Sequence, residues 1–261
     1  MKKYLSIFYY SFKESVSNKN TIFFTIISGI LRIFMYYFLW ASVYKEKDLI
    51  GGLSWDETRT YIFLSFIINS IISFYTEVKI SDDIKSGNIV IDFMRPISYQ
   101  NIKFFETLGL IFLEGIISTI VIGIIAILIF NIILPSSLIS MLWVIVSVAC
   151  GLIIKFSLSY ISGLLCFWTH GIVGIIWIRS ALIDVMSGAI IPLSIYPEAI
   201  NRFIMMLPFK NIVYTPVMIY LNKIDNLTNT VFIQFAWVII FWVLSKLLFF
   251  QASKKLTVNG G

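Results

Sequence analysis

Long apolar blocks broken only by isolated charges constrain this chain more than any other feature. Residues 21–44 contain one charged side chain, Arg32, and residues 108–130 contain one, Glu114. A hydrocarbon core of about 30 Å takes roughly 20 helical residues per crossing, so either block is long enough to span a bilayer. Composition extends the point to the whole chain. Apolar residues make up 59% and charged residues 13% of it, with a mean hydropathy of +0.91. Soluble domains carry about a quarter charged residues. Half of that leaves too little polar surface to cover a water-facing globule. The expected fold class is therefore all-α: a polytopic membrane protein.

Six crossings fit the pattern: residues 21–44, 60–76, 108–130, 138–158, 172–193 and 229–250 of a single transmembrane domain, 1–261. Residues 1–20 read as an interfacial helix, with Leu5, Phe8, Tyr9, Phe12 and Val16 on one face and Ser6, Lys13 and Ser17 on another. Lys13 and Glu14 interrupt the N-terminal apolar run before it reaches signal-peptide length. Gly51-Gly52 marks a turn in the polar loop 45–59, and Asn131 to Ser137 makes a tight turn. Lys155 interrupts the block 138–168, so its last ten residues are expected to continue as helix or interfacial turn. No internal repeat is visible.

The net charge of +6 does not point to nucleic acid, because the 20 Lys and Arg are dispersed. In a polytopic chain such an excess sets orientation. With six crossings, eleven basic residues fall on the side holding both termini and the loop between spans two and three; six fall on the other. Both termini are therefore expected in the cytoplasm, with the chain in the plasma membrane. Cys150 and Cys166 are 16 residues apart, about 24 Å along a helix and beyond disulfide reach.

Enzyme signatures are absent. No Gly precedes a Lys, so no P-loop exists to hold ATP phosphates. The single histidine, His170, has no companion ligands at metal-site spacing. No catalytic, cofactor or metal residue is expected, and energy for any work must come from elsewhere.

Three groups of residues carry the remaining signal. In the loop between spans two and three, Ser81 can cap a short helix with Asp82 and Asp83 in its first turn, Ile80 and Ile84 on one face, Lys85 near its end and Gly87 as its left-handed stop. Arg95-Pro96 then redirects the chain. Between Pro192 and Asp225 lie four of the six prolines. Pro197 suits a first helical turn, Ile200, Phe203, Ile204 and Leu207 line one face, and Pro208, followed by Phe209, and Pro216 break the chain. Apolar broken helices of this kind are better re-entrant in the outer leaflet than free in water. Finally, Arg32, Glu114, Arg179 and Asp184 lie inside spans, where each costs a few kcal/mol unless it faces protein or water. Arg179 and Asp184 are five apart, so at least one should look to another helix. Ser159 with Gly163, or Gly171 with Gly174, would let helices approach closely.

The stretch Gly87-Asn-Ile-Val-Ile-Asp-Phe-Met-Arg-Pro-Ile resembles the loop of type 2 ABC exporter permeases that ends in Arg-Pro, with Met94 where Leu is common. Ser187-Gly-Ala-Ile-Ile-Pro-Leu, Tyr196-Pro, Leu207-Pro-Phe and Tyr214-Thr-Pro are similar to that family's segment after the fifth span, and the layout resembles its viologen-exporter-like and uncharacterised permeases. The resemblance implies a permease subunit exporting an amphiphilic, drug- or peptide-like substrate. A separate ATPase, in two copies, would bind ATP and Mg and dock around Ile80 to Ser86, flanked by the N-terminal helix. A second permease, identical or related, would complete the path, and the broken outer helices would close it. Two other readings stand beside it. A secondary transporter or channel would favour an inverted repeat or a mid-membrane acidic relay. An intramembrane enzyme would need paired acids, and Asp184 is the only deep one.

Overall fold

A computed structural model describes residues 2–17, 19–74, 76–93, 97–169 and 171–255, leaving out the side chains of residues 19–22, 25, 93, 114 and 118. Arg95, Pro96 and His170 lie outside the described residues, as does the side chain of Glu114. The helices are α1 (Lys2–Ser17), α2 (Lys19–Val43), α3 (Trp55–Ile71), α4 (Thr76–Ser86), α5 (Ile89–Phe93), α6 (Tyr99–Phe130), α7 (Leu138–Leu164), α8 (Val173–Met186), α9 (Glu198–Met206), α10 (Tyr214–Tyr220) and α11 (Leu227–Ser253). Three 3-10 turns, Leu165–Phe167, Leu193–Ile195 and Pro208–Asn211, join them, and a two-stranded hairpin, β1 (Leu49–Ile50) with β2 (Leu53–Ser54), fills the first loop. Gly51 and Gly52 close that hairpin at φ +58° and +76°, backbone that L side chains resist.

The central core is built from α3, α4, α7, α10 and α11, with Tyr61, Ile72, Ile80, Ile154, Phe156, Tyr160 and Val213 at its heart. A second cluster packs α2 and α3 on α6 through Ile33, Phe63 and Phe130. Outside these, large apolar side chains such as Leu128, Leu138, Trp177 and Phe232 stand exposed. In hydrocarbon such a surface costs nothing, and the chain is an all-α polytopic membrane protein.

Among the described residues, five helical stretches are long and apolar enough to cross a membrane: Ile26–Val43, Trp55–Ser86, Tyr99–Phe130, Leu138–Phe167 and Leu227–Ser253. The fifth expected span, 172–193, differs. Its helix ends at Met186 after 14 residues, a rise of about 21 Å, because Gly188 turns the chain at φ +79° and Pro192 follows. Even so, the chain passes from one end of the bundle to the other here. At one end, Lys255 lies over Trp168, and Ser81 meets Cys166. At the other, Lys223 donates to the Gly52 carbonyl and Asn222 to Ser136. The segment from α8 to Asn222 connects the two. It leaves α1 and the C-terminal part of α11 at the same end, the one that holds α4.

Two further boundaries shift. The polar loop is shorter than 45–59, because Ser54 and Glu57 form a reciprocal capping box that starts α3 at Trp55. α6 begins at Tyr99, nine residues before the expected start of the third span, and runs as one continuous helix to Phe130. α7 continues past Leu158 to Leu164 and then into a 3-10 turn, as the long apolar block suggests.

α1 is a helix as expected, and its apolar face is divided between residues packed on α6 and residues left exposed. Tyr4, Phe8 and Phe12 pack on Phe105 and Phe112 of α6, Ser11 and Ser15 are buried, and Leu5, Tyr9 and Val16 face outward. Small residues decide this. A Cβ on Gly109 would lie 2.4 Å from the Phe8 carbonyl oxygen and 2.8 Å from Ser11 Cβ, so only Gly admits so close a crossing.

Candidate functional site

α4 is an 11-residue amphipathic helix at the end of the bundle that holds both described termini. Thr76, Glu77, Ile80 and Ser81 are its buried residues, the i, i+4 stripe of one helical face. Ile80 presses on Gly163 of α7, where an added Cβ would meet Ile80 Cβ at 2.9 Å. Ser81 Oγ and Cys166 Sγ are 3.1 Å apart, and Thr76 and Thr107 hydroxyls 2.7 Å. Ser81 is therefore not the cap expected from the sequence: it lies in the middle of the helix, and Asp82 and Asp83 lie beyond the first turn. Local capping favoured a late start. Tertiary partners for Thr76 and Glu77 move it six residues earlier. Gly87, at φ +75°, does end the helix.

The mixed charges of this loop neutralise one another. Lys103 Nζ, on α6 and almost fully buried, lies 2.7 Å from Asp83, 2.9 Å from Glu106 and 3.9 Å from Asp92. Tyr99 also donates to Asp83 at 3.2 Å. Lys79 pairs with Glu14 of α1 at 3.2 Å, tying the N-terminal helix to α4. What remains outward is a mixed surface of Val78, Asp82, Lys85, Ser86, Val90 and Ile91. Ile80 and Ser81 face the interior, and Ile84 is half-buried against the core. Any partner at α4 meets the outward set.

Of the described charges expected within spans, Arg179 is the one with a built environment. It is 9% exposed; one guanidinium nitrogen donates to Ser159 Oγ at 2.7 Å and another to the carboxylate of Glu77, which is wholly buried. The pair joins α8 to α4 across 102 residues of sequence. Arg179 thus looks to another helix rather than to Asp184, as the five-residue spacing required. Glu77 escaped notice as a residue at the edge of a loop, yet 77, 80/81 and 84 share helical spacing, and that signal places it on the buried face. Removing one partner of such a pair costs about 3–5 kcal/mol, because the other charge is left buried alone. Asp184 and Arg32 are exposed within this chain and within electrostatic reach of each other. Lys155 Nζ sits 5.7 Å over the Phe74 ring. Among the small residues, Ser159 and Gly163 make the expected close approaches, whereas Gly171 and Gly174 face open space.

The proline-punctuated segment dips into the bundle and returns to the same end. Pro192 precedes the turn Leu193–Ile195, whose Ile195 packs at Gly51 of the hairpin. Pro197 stands one residue before α9 rather than within its first turn. Of the expected apolar face of α9, Ile204 is buried while Ile200 and Phe203 remain exposed. After Leu207, Pro208 opens the turn Pro208–Asn211, which dips to the middle of α7, where a Cβ on Gly151 would lie 2.9 Å from the Asn211 carbonyl oxygen. Gln234 of α11 donates to that carbonyl at 3.2 Å and to Ser147 at 2.8 Å, supplying the partners that non-helical backbone needs in a membrane. α10, with Pro216 in its first turn, returns the chain, and Tyr214 N–H donates to the Ser187 carbonyl at 2.9 Å. Tyr61 of α3 donates to the Gly188 carbonyl at 2.6 Å. Phe209, Leu158, Ile175, Ile178, Arg179 and Leu182 line an open cleft of about 260 Å³. Among the described residues, no group of three or more His, Cys, Asp and Glu could hold a metal ion.

The family model described as ABC-2 family transporter protein matches residues 30–260. No curated protein matches the chain.

Proposed function

The chain belongs to the ABC-2 transporter family, and from that premise we propose that it is the permease subunit of an exporter driven by a separate ATPase. The observation that carries this reading is α4. It is a short helix held to α7 by Ile80 and Gly163, to the turn after α7 by Ser81 and Cys166, to α6 by Asp83 and Lys103, and to α8 by Glu77, with one face left outward. A helix of three turns is marginal alone. Locked in place by three neighbours, it is a rigid handle that a partner can push. The ATPase, two copies of which bind ATP and Mg, docks on Asp82, Lys85, Ser86, Val90 and Ile91, with α1 alongside through Lys79 and Glu14. The excess of basic residues at this end supports its assignment to the cytoplasm, both termini included, in a plasma membrane.

The exposed faces of α2 and α8 carry Arg32 and Asp184, which lipid tolerates poorly; a second permease, identical or related, covers them. The substrate is amphiphilic and leaves the cell between the two permeases, with the re-entrant turn at Pro208–Asn211 and helices α9 and α10 closing the outer side. The test is copurification with an ABC ATPase, followed by reconstitution and substrate-stimulated hydrolysis. The complex is expected to hydrolyse ATP and the chain by itself to show none. Transport in vesicles without any ATPase would instead establish a secondary transporter.

A further inference from the structure

We infer that the buried Glu77–Arg179 pair is the link through which movement of α4 reaches α8. This deepens the exporter reading and rests on it. α4 touches α7 and the turn after it through apolar packing and a neutral hydroxyl–thiol contact, while two other ion pairs tie it elsewhere, Asp83–Lys103 to α6 and the exposed Lys79–Glu14 to α1. α8 is held even more lightly. Within the helix only Arg179 and Ile183 are buried, while Trp177, Ile178, Leu182 and Val185 are exposed. Its other described ties are the packing of Ile183 into the core and, at its end, the Val185, Ser187 and Gly188 carbonyls, which accept from Tyr196, Tyr214 and Tyr61.

The middle of α8 therefore follows whatever holds Arg179. Ser159 contributes one neutral contact from α7; Glu77 contributes the opposing charge. Lys155 lies within electrostatic reach of both, yet no hydrogen bond among the described residues joins it to either. Among the described residues, Glu77 Oε2 and Arg179 Nε have no hydrogen-bond partner. Apolar surfaces can slide past one another at little cost. A buried ion pair cannot, because displacement strands two charges in a low-dielectric interior. When a docked partner tilts α4, α8 moves with it. Arg179 also lines the cleft that Phe209 and Leu158 share, so this motion reshapes the space between α7, α8 and the re-entrant turn. Glu77 and Arg179 are positioning residues in this scheme; neither faces the partner.

The discriminating variant is Glu77→Met with Arg179→Met. Replacing both charges by apolar side chains is often neutral or stabilising, so a purely structural role is satisfied by it, whereas a transmitting role is not. Two measurements on the full chain decide. The first needs no ATPase: nitroxide labels at Lys85→Cys on α4 and Trp177→Cys on α8, both exposed, with the native Cys150 and Cys166 buried. In nanodiscs the intact pair should give one narrow distance distribution, and the double Met variant a broadened or split one. Equal distributions in the two proteins would overturn the link. The second uses the reconstituted complex. The double variant should retain ATPase copurification and hydrolysis while transport per ATP falls about tenfold, within the range of measured coupling energies. Wild-type transport per ATP by that variant would overturn the inference and leave the exporter reading standing. Failure of any ATPase to bind the wild-type chain would refute the exporter reading instead, with the label distances still reporting on the link.

Discussion

Gly163→Ala puts the seating of α4 to the test with one methyl group. A Cβ at that position would stand 2.9 Å from Ile80 Cβ and 3.0 Å from both its Cδ1 and Cγ2. Real carbons do not approach so closely, so something must shift. Ile80 cannot give way by itself: it is wholly buried, β-branched and stiff at χ1. The helix must move instead. Overpacking of this kind costs about 1–3 kcal/mol. If that cost falls on the seated position of α4, occupancy of that position drops by about 5- to 150-fold. The spans do not depend on this contact, so the protein should still insert and elute as a single species. The assay is ATPase copurification across a titration of the ATPase, with a thermal melt of the purified chain alongside. Affinity should fall with little change in Tm. Ile80→Ala in the same chain removes the clashing atoms and should restore part of the loss, although alone it opens a cavity costing about 2–5 kcal/mol. The coupling between the two substitutions is the diagnostic quantity. Additive effects, or wild-type affinity in Gly163→Ala, would refute the reasoning that this contact sets the position of α4.

Gly109→Ala should release α1 from α6, since the new Cβ meets the Phe8 carbonyl oxygen at 2.4 Å and backbone cannot fold away; limited proteolysis at Lys13 should then speed up while the helices from α2 onward stay protected. Cysteines at Lys47 and Gln251, both exposed and at opposite ends of the bundle, should label from opposite sides of intact cells, Lys47→Cys from outside. Labelling of Gln251→Cys from outside would invert the proposed orientation.

Much of this protein is decided by local sequence. Blocks of apolar residues with one charge each can only be membrane helices, whatever surrounds them, because every backbone polar group in hydrocarbon must find its partner within the segment. Paired glycines at 51 and 52 close a hairpin, Gly87 ends a helix, and prolines at 192, 208 and 216 forbid a continuous outer helix. These are properties of φ and of missing N–H groups, and they travel with the residue. Tertiary structure decided the rest. Ser81 is a good cap by its chemistry, yet α4 begins at Thr76 because Thr107 and Arg179, 31 and 102 residues away, satisfy groups that would otherwise favour water. The inward faces of α1 and α4 follow from where Gly109 and Gly163 leave room, not from which side is most apolar. The fifth apolar block is long enough to cross, yet α8 stops at Met186, where the Gly188 turn is held by a hydroxyl from α3. Periodicity shows that a face exists. Which face is buried depends on a neighbour far along the chain, and that information is spread over both partners rather than written in either.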